Sequence, residues 1–432
     1  MYNTGYFIVL ANLIVWLITF VIYQRHSRAF DAGSAILALY LLYSVSSFFL
    51  YISPESRSDY TKITFFPFIY FFIVFYFAFL PVRNCNYKKI IRIARPSDFL
   101  INSISVFIIL LSLISIVDTI EHIGEGLTLI LLDTGGGKEL YETTADTISK
   151  TGSGSLANIV GVISSSFHYI GVFLFFYYLT FNKEKRKTLI IWGLGISMVL
   201  GILSGIASGS RNGAVNNILG IGITYFLFKG FYSEKIRRTV RIVGLVFVIL
   251  ITIPIVAITT SRFGEEQSSS SVLLYVGSGN LNFNQYALDD NGIRYGDRTI
   301  PLFKRMLGFN NVPRNYIERR AKYPQLKIND ESFSTFIGDF AIDYGPFLCV
   351  LIFIIGGVLF YNKTRVKAGV ITFGQLLGLH FVLCMLVQGG TLFSFADVGG
   401  NLRLIVYLII YVLAVLSLPK GKSFSKLSSQ NI

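Results

Sequence analysis

The sequence predicts an all-α polytopic membrane protein of about eleven transmembrane helices, with a large outer loop that carries short amphipathic helices. Three observations predict it. Hydrophobic residues make up 53% of the 432-residue chain and fall in runs near twenty residues long, the length that crosses a hydrocarbon core of ~30 Å. Those runs lack the apolar–polar periodicity of helices that pack in a water-soluble core. Basic residues, finally, gather on alternate connections between the runs.

In chain order the spans are expected near 6–23, 32–52, 63–82, 99–117, 155–181, 188–207, 212–229, 242–260, 336–361, 369–388 and 402–419. The chain opens Met1-Tyr2-Asn3-Thr4-Gly5 with no basic stretch, and no small-residue cleavage site follows the first run. That run reads as an uncleaved anchor. With the N-terminus outside, the cytoplasmic segments hold 22 Lys/Arg and four Asp/Glu, leaving 16 and 20 outside. The inner balance is then +18 and the outer balance −4. The positive-inside rule thus accounts for the net charge of +14 without a nucleic-acid partner, and the C-terminus is cytoplasmic. Cys85, Cys349 and Cys384 show neither a disulfide framework nor metal-ligand spacing, so no metal and no cofactor is expected.

One transmembrane domain, 1–432, is expected, with a smaller outer loop at 118–154 and the large outer loop at 261–335 between spans eight and nine. The smaller loop has seven acids and two lysines. Its Asp133-Thr134-Gly135-Gly136-Gly137 run lacks the strand before and the Lys-Ser/Thr after that a phosphate loop needs, so it reads as a lid or linker. The large loop has ten Lys/Arg, eight Asp/Glu and ten Phe/Tyr, without Cys or His. Its polar tract Glu265–Ser271 is expected to be mobile. Segments 272–286 and 298–320 are expected as amphipathic helices on the outer leaflet, roofing a cavity.

Four residues stand out for chemistry. Arg211 lies in Gly209-Ser210-Arg211-Asn212-Gly213, between two spans joined by a tight turn. An arginine at that depth needs water or a partner, and the free N–H groups of the helix it opens favour an anion. Together they suit a pyrophosphate; the plain alternative is a side chain snorkelling to headgroups. Gly201, Gly205, Gly209 and Gly213 form a small ridge that lets a second helix approach. Arg262 leaves the eighth span at a similar depth and would complete a clamp, or serve as an interfacial anchor. Asp339 and Asp343 share one helix face; one is a candidate general base towards a sugar hydroxyl, or both are partners of loop arginines. Glu331 is a third carboxylate nearby. Arg298, Arg305, Arg314 and Arg403 are candidate substrate contacts. His168 and His380 read as hydrogen-bonded packing residues, and the loop aromatics as sugar-stacking groups or an interfacial belt.

The architecture, Gly209–Gly213 between two central spans, Ser261-Arg262-Phe263 at the loop entry and Gly338-Asp339-Phe340 with Asp343-Tyr344-Gly345 at its exit resemble the Wzy-type oligosaccharide repeat-unit polymerases of O-antigen and capsule synthesis. The resemblance implies a metal-independent glycosyltransferase of the bacterial inner membrane. Such an enzyme moves the growing glycan from undecaprenyl diphosphate to the sugar of an incoming lipid-linked unit at the outer face. By position it implies Arg211 and Arg262, then Arg298 and Arg314, as the functional arginines. It implies undecaprenyl-diphosphate-linked oligosaccharide and membrane lipids as partners, together with a chain-length regulator and a flippase of the same pathway. The competing readings are an O-antigen ligase, which is expected to carry a histidine in this loop, and a flippase or transporter, which is expected to carry charge through the midplane.

Overall fold

The computed structural model describes residues 2–53, 59–83, 85, 90, 92–114, 116, 156–181, 186–207, 211–328, 332–366 and 369–418. Helices dominate it. In order come α1 (Tyr2–Ser27), α2 (Ala32–Ile52), α3 (Phe65–Arg83), α4 (Asp98–Ile114), α5 (Leu156–Tyr178), α6 (Thr188–Ala207) and α7 (Arg211–Phe228). One 49-residue helix, α8 (Glu234–Asn282), follows. Beyond it lie α9 (Pro301–Met306), α10 (Tyr316–Lys322), α11 (Thr335–Tyr344), α12 (Pro346–Thr364), α13 (Phe373–Gln388) and α14 (Asp397–Leu416). Among the described residues seven helices are long and apolar enough to cross a membrane, and α4, α6 and α13 supply shorter apolar helices. The all-α membrane architecture holds; length and composition support seven spans of the eleven expected.

A two-stranded parallel sheet marks one end of the bundle, where β1 (Arg92–Ala94) lies beside β2 (Val370–Thr372) with Arg92 opposite Val370. Thr372 then caps α13, its side chain accepting from Gln375 N–H while the Gln375 side chain accepts from Thr372 N–H. This reciprocal box satisfies two otherwise orphaned donors. The charged stretch 283–344 occupies the opposite end, called the segment end below.

Four sequence expectations change. The tract Glu265–Ser271 is helical backbone inside α8, so the loop begins near Phe283 rather than at Ser261. Extending a formed helix fixes one residue per hydrogen bond, and both ends of this one are held. At the far end Leu281 is buried with Ile8, Val9 and Leu50, and Ser47 Oγ donates to the Gly277 carbonyl at 2.8 Å. The expected helix at 272–286 is accordingly the end of α8 plus a π turn, Phe283–Ala287, and that at 298–320 is two short helices, α9 and α10. The expected span 336–361 breaks at Gly345, whose φ of 80° suits glycine; Pro346 then opens α12. Asp339 and Asp343 therefore precede the crossing helix rather than lying in it.

α13 is the central post. Thirteen of its sixteen residues are buried, and its polar groups are paired, as an apolar surround requires. Thr224 Oγ1 and Tyr407 OH each lie 2.8 Å from a His380 ring nitrogen, joining α7, α13 and α14. Tyr40 OH donates to Leu386 O at 3.0 Å, which ties α2 to the same post. His380 is thus the hydrogen-bonded packing residue that the sequence suggested.

Candidate functional site

The charged stretch is fastened to α11 by a buried four-charge cluster. Asp339 and Asp343, four residues apart, face the same way, and both are wholly buried. Arg294 Nε is 2.7 Å from Asp343 Oδ1, and its Nη2 is 3.7 Å from Asp339 Oδ1. Arg298 Nε lies 3.0 Å from Asp339 Oδ1. The second oxygens are also engaged. Asp343 Oδ2 accepts from Thr299 N and Oγ1, both at 2.7 Å, and from Arg298 N at 3.2 Å. Asp339 Oδ2 accepts from Phe393 N at 2.8 Å. Two charges of each sign thus compensate one another where water is excluded, the condition under which buried carboxylates persist.

Around this cluster the stretch is held by further polar contacts. Asp297 is bonded by Lys304, by Lys322 at 2.7 Å and by Tyr323 OH at 2.8 Å. Burial alone would raise its pKa, but these donors outweigh burial and hold the carboxyl below its ordinary value. Asp290 has weaker support: Ile328 N–H donates to Oδ1 at 2.9 Å, and burial pushes its carboxyl up to about 6. Asp397, at the start of α14 with φ 59°, accepts from Arg319 at 2.8 Å and donates its N–H to Arg298 O at 2.8 Å. Asn401 closes the arrangement by donating to Thr299 O and Phe395 O, at 2.7 and 2.9 Å.

A second polar group lies at the segment end of α5, α7, α13 and α14. Gln388, at the end of α13, donates to Tyr169 OH and approaches Asn216 O at 3.5 Å. Arg403, in the second turn of α14, sits with its guanidinium 5.4 Å from the centre of the Tyr169 ring. Its Nη1 reaches Ser394 O at 3.4 Å, while the buried Nε has no hydrogen-bond partner. No carboxylate among the described residues pairs with it. Beside it, the buried His168 Nε2 also lacks a partner. Gly201, the first glycine of the expected ridge, packs closely here: a Cβ on it would fall 2.3 Å from the His168 ring. Asn217 Nδ2 fixes α7 to α6 by donating to Gly201 O at 2.8 Å.

Of the residues picked from sequence, Arg211 opens α7, five residues before Asn216. Arg262 is in the helical backbone of α8. The side chains of both fall outside the described residues, as do Glu331 and the 118–154 loop. Arg298 is committed to Asp339. Arg305 Nη2 donates to Pro313 O at 2.6 Å, so it braces the turn after α9. Arg314 is exposed, and its N–H donates to Glu318 at 2.7 Å. The sequence reading did not single out Arg294 or the Tyr169–Gln388 pair. Gln388 ending an apolar span was the legible signal; Tyr169 gave none. No protein-family model, curated protein or solved structure matches this chain.

Proposed function

We propose that this chain is a Wzy-type polymerase of lipid-linked oligosaccharide repeat units, working at the outer face of a bacterial inner membrane, with the segment end outside. The observation that carries the proposal is Arg403. A partly buried guanidinium that no carboxylate pairs with among the described residues, 5.4 Å from the Tyr169 ring, is built to receive an anion. The leaving group of this reaction is a diphosphate, which needs steadying by cations as charge develops. In this reading Arg403 and Arg211 receive the diphosphate, and Arg262 joins them from α8. Asp339 and Asp343 act as positioning residues: with every oxygen engaged and no exposure, they hold Arg294 and Arg298 instead of taking a proton from the acceptor. Arg314 is exposed on the sugar-facing stretch, which Arg298 and Arg305 brace from within and which contributes aromatic surface for the glycan.

The test is the surface-polysaccharide ladder from cells with the gene deleted, then restored with wild type, Arg403→Ala or Arg403→Lys. Single repeat units on lipid core in the deletion, a full ladder with wild type and a collapsed one with Arg403→Ala are expected. Lysine should rescue poorly, because a point charge cannot fork two phosphate oxygens. Loss of all surface sugar with units trapped inside would instead mean a flippase. Long chains accumulating on their carrier would mean a ligase. An Arg403→Ala ladder of normal length at normal protein level would remove Arg403 from the site.

A further inference from the structure

The corner around Arg403 collects three buried polar atoms that no described residue satisfies: Arg403 Nε, His168 Nε2 and Ser394 Oγ. Buried polar atoms are as a rule hydrogen-bonded, so three orphans in one place call for an explanation. The corner is tight. The His168 and Tyr169 ring centres are 5.6 Å apart, and the Arg403 guanidinium lies 5.4 Å from the same Tyr169 ring. Arg403 Nη1 reaches the Ser394 carbonyl at 3.4 Å. The corner is also shallow, because Gln388 ends α13 and Arg403 lies in the second turn of α14.

His168 differs from the other described histidines. His380 has both ring nitrogens occupied by Thr224 and Tyr407. His26 closes α1 at the opposite end of the bundle, near Phe30, whose carbonyl accepts from Lys229 after α7. The His168 ring is held from α6. A Cβ on Gly201 would meet its Nδ1 and Cε1, both at 2.3 Å, so that edge packs where only glycine leaves room. Asn217 fixes Gly201 in turn by donating to its carbonyl at 2.8 Å. The carboxylates of α11 offer no rival, since Arg294, Arg298, Thr299 and Phe393 engage their oxygens.

We infer that His168 is the general base of the transfer, an inference that rests on the polymerase reading. The acceptor hydroxyl gives its proton to His168 Nε2 as its oxygen bonds to the anomeric carbon of the growing glycan. The bond from that carbon to the diphosphate oxygen breaks, and its electron pair leaves on the diphosphate, which Arg403 receives. The imidazolium then passes its proton to water, and the ring returns to its starting state. The site suits this exchange electrostatically. A cation forms on His168 in the corner where the diphosphate gains negative charge, so the two new charges compensate each other away from bulk water. Ser394 Oγ supplies a further donor for a phosphate oxygen.

The experiment uses the full-length protein in proteoliposomes, supplied with lipid-linked repeat units extracted from cells that lack the gene. Chain growth is read on gels over a range of substrate concentrations. In His168→Gln the amide falls near the Nε2 position, where it can hydrogen-bond but cannot take a proton. A general base contributes ~10²–10⁴-fold, so kcat should fall by that factor while KM and melting temperature stay at the wild-type values. Gly201→Ala keeps the imidazole but displaces it, and should also lower kcat at constant KM, since a shift of ~1 Å can cost ~100-fold. A His168→Gln kcat near the wild-type value would overturn the inference. So would a raised KM at unchanged kcat, which marks a binding role, or a loss of rate matched by a loss of melting temperature in both variants. If His168→Gln fails to fold, the kcat of Gly201→Ala decides. No chain growth by wild type would remove the polymerase reading and the base with it, whereas growth by wild type and both variants alike would remove His168 alone.

Discussion

Replacing Arg294 by methionine tests how the charged stretch is held. The side chain is 4% exposed and its partner Asp343 is 0% exposed, with 2.7 Å between Nε and Oδ1. Removing one member of such a pair leaves an uncompensated buried charge, typically at a cost of 3–5 kcal/mol. Here Asp343 Oδ2 keeps its three donors from Arg298 and Thr299, and Asp339 keeps Arg298. The lower end is therefore appropriate, about 3 kcal/mol, or roughly two decades in the closed-to-open ratio of the stretch. Hydrogen exchange of amides in 289–328, on protein in detergent, reads that ratio directly. Adding Asp343→Asn removes the stranded charge while retaining an oxygen for the Thr299 N–H. The double variant should therefore recover more than half of the lost protection. Strictly additive losses, or an Arg294→Met effect below about 0.5 kcal/mol, would refute the reasoning, because neither fits a coupled buried pair.

Three further outcomes follow from the same geometry. Asp290 has a folded-state pKa near 6 against an ordinary 3.8, so ionising it destabilises the fold: the penalty is absent below about pH 4, grows between the two values and is complete above pH 6. Asp290→Asn should therefore melt higher than wild type at pH 7.5, by the order of 1 kcal/mol, with the gap closing by pH 4.5; a gap that ignores pH would dismiss this account. His380→Leu should destabilise by about 1–2 kcal/mol in thermal unfolding, and by more than Thr224→Val, because it leaves two hydroxyls short of a partner rather than one ring nitrogen; equal losses would contradict the network. Gly357→Ala sets a methyl 2.2 Å from the Phe77 carbonyl, so α3 and α12 must part, with an expected loss of about 1–3 kcal/mol in detergent melting and a wild-type melting curve as the disproof.

The long apolar runs were legible because a bilayer imposes one length on every crossing helix. α1, α2, α3, α6 and α13 lie close to where hydropathy put them. The continuation of α8 was not legible, since Glu265-Glu266-Gln267 and four serines have a loop's composition, and the contacts that fix the far end of the helix, near Gly277 and Leu281, are long-range. The four-residue spacing of Asp339 and Asp343 gave their shared face correctly. Their partners were hidden, because Arg294 and Arg298 stand 45 residues before Asp339 and Asp343 or nearly so, in a stretch where ten cations look alike. Arg403 was visible as a cation at a span start. That no carboxylate among the described residues pairs with it, the property that now recommends it, is a fact of three dimensions.

The pairing of Arg92–Ala94 with Val370–Thr372 has a consequence for how the chain is made. The two strands are about 280 residues apart, and at 5–20 residues per second the first waits some tens of seconds for the second to be synthesised. Tyr40 is in the same position, since its acceptor, Leu386 O, comes 346 residues later. The early helices must therefore enter the membrane with their final contacts missing, and assembly closes only when α13 arrives. A ribosome stalled before residue 373 would leave the α2 hydroxyl of Tyr40 unmated within lipid, marking the unfinished protein for membrane quality control.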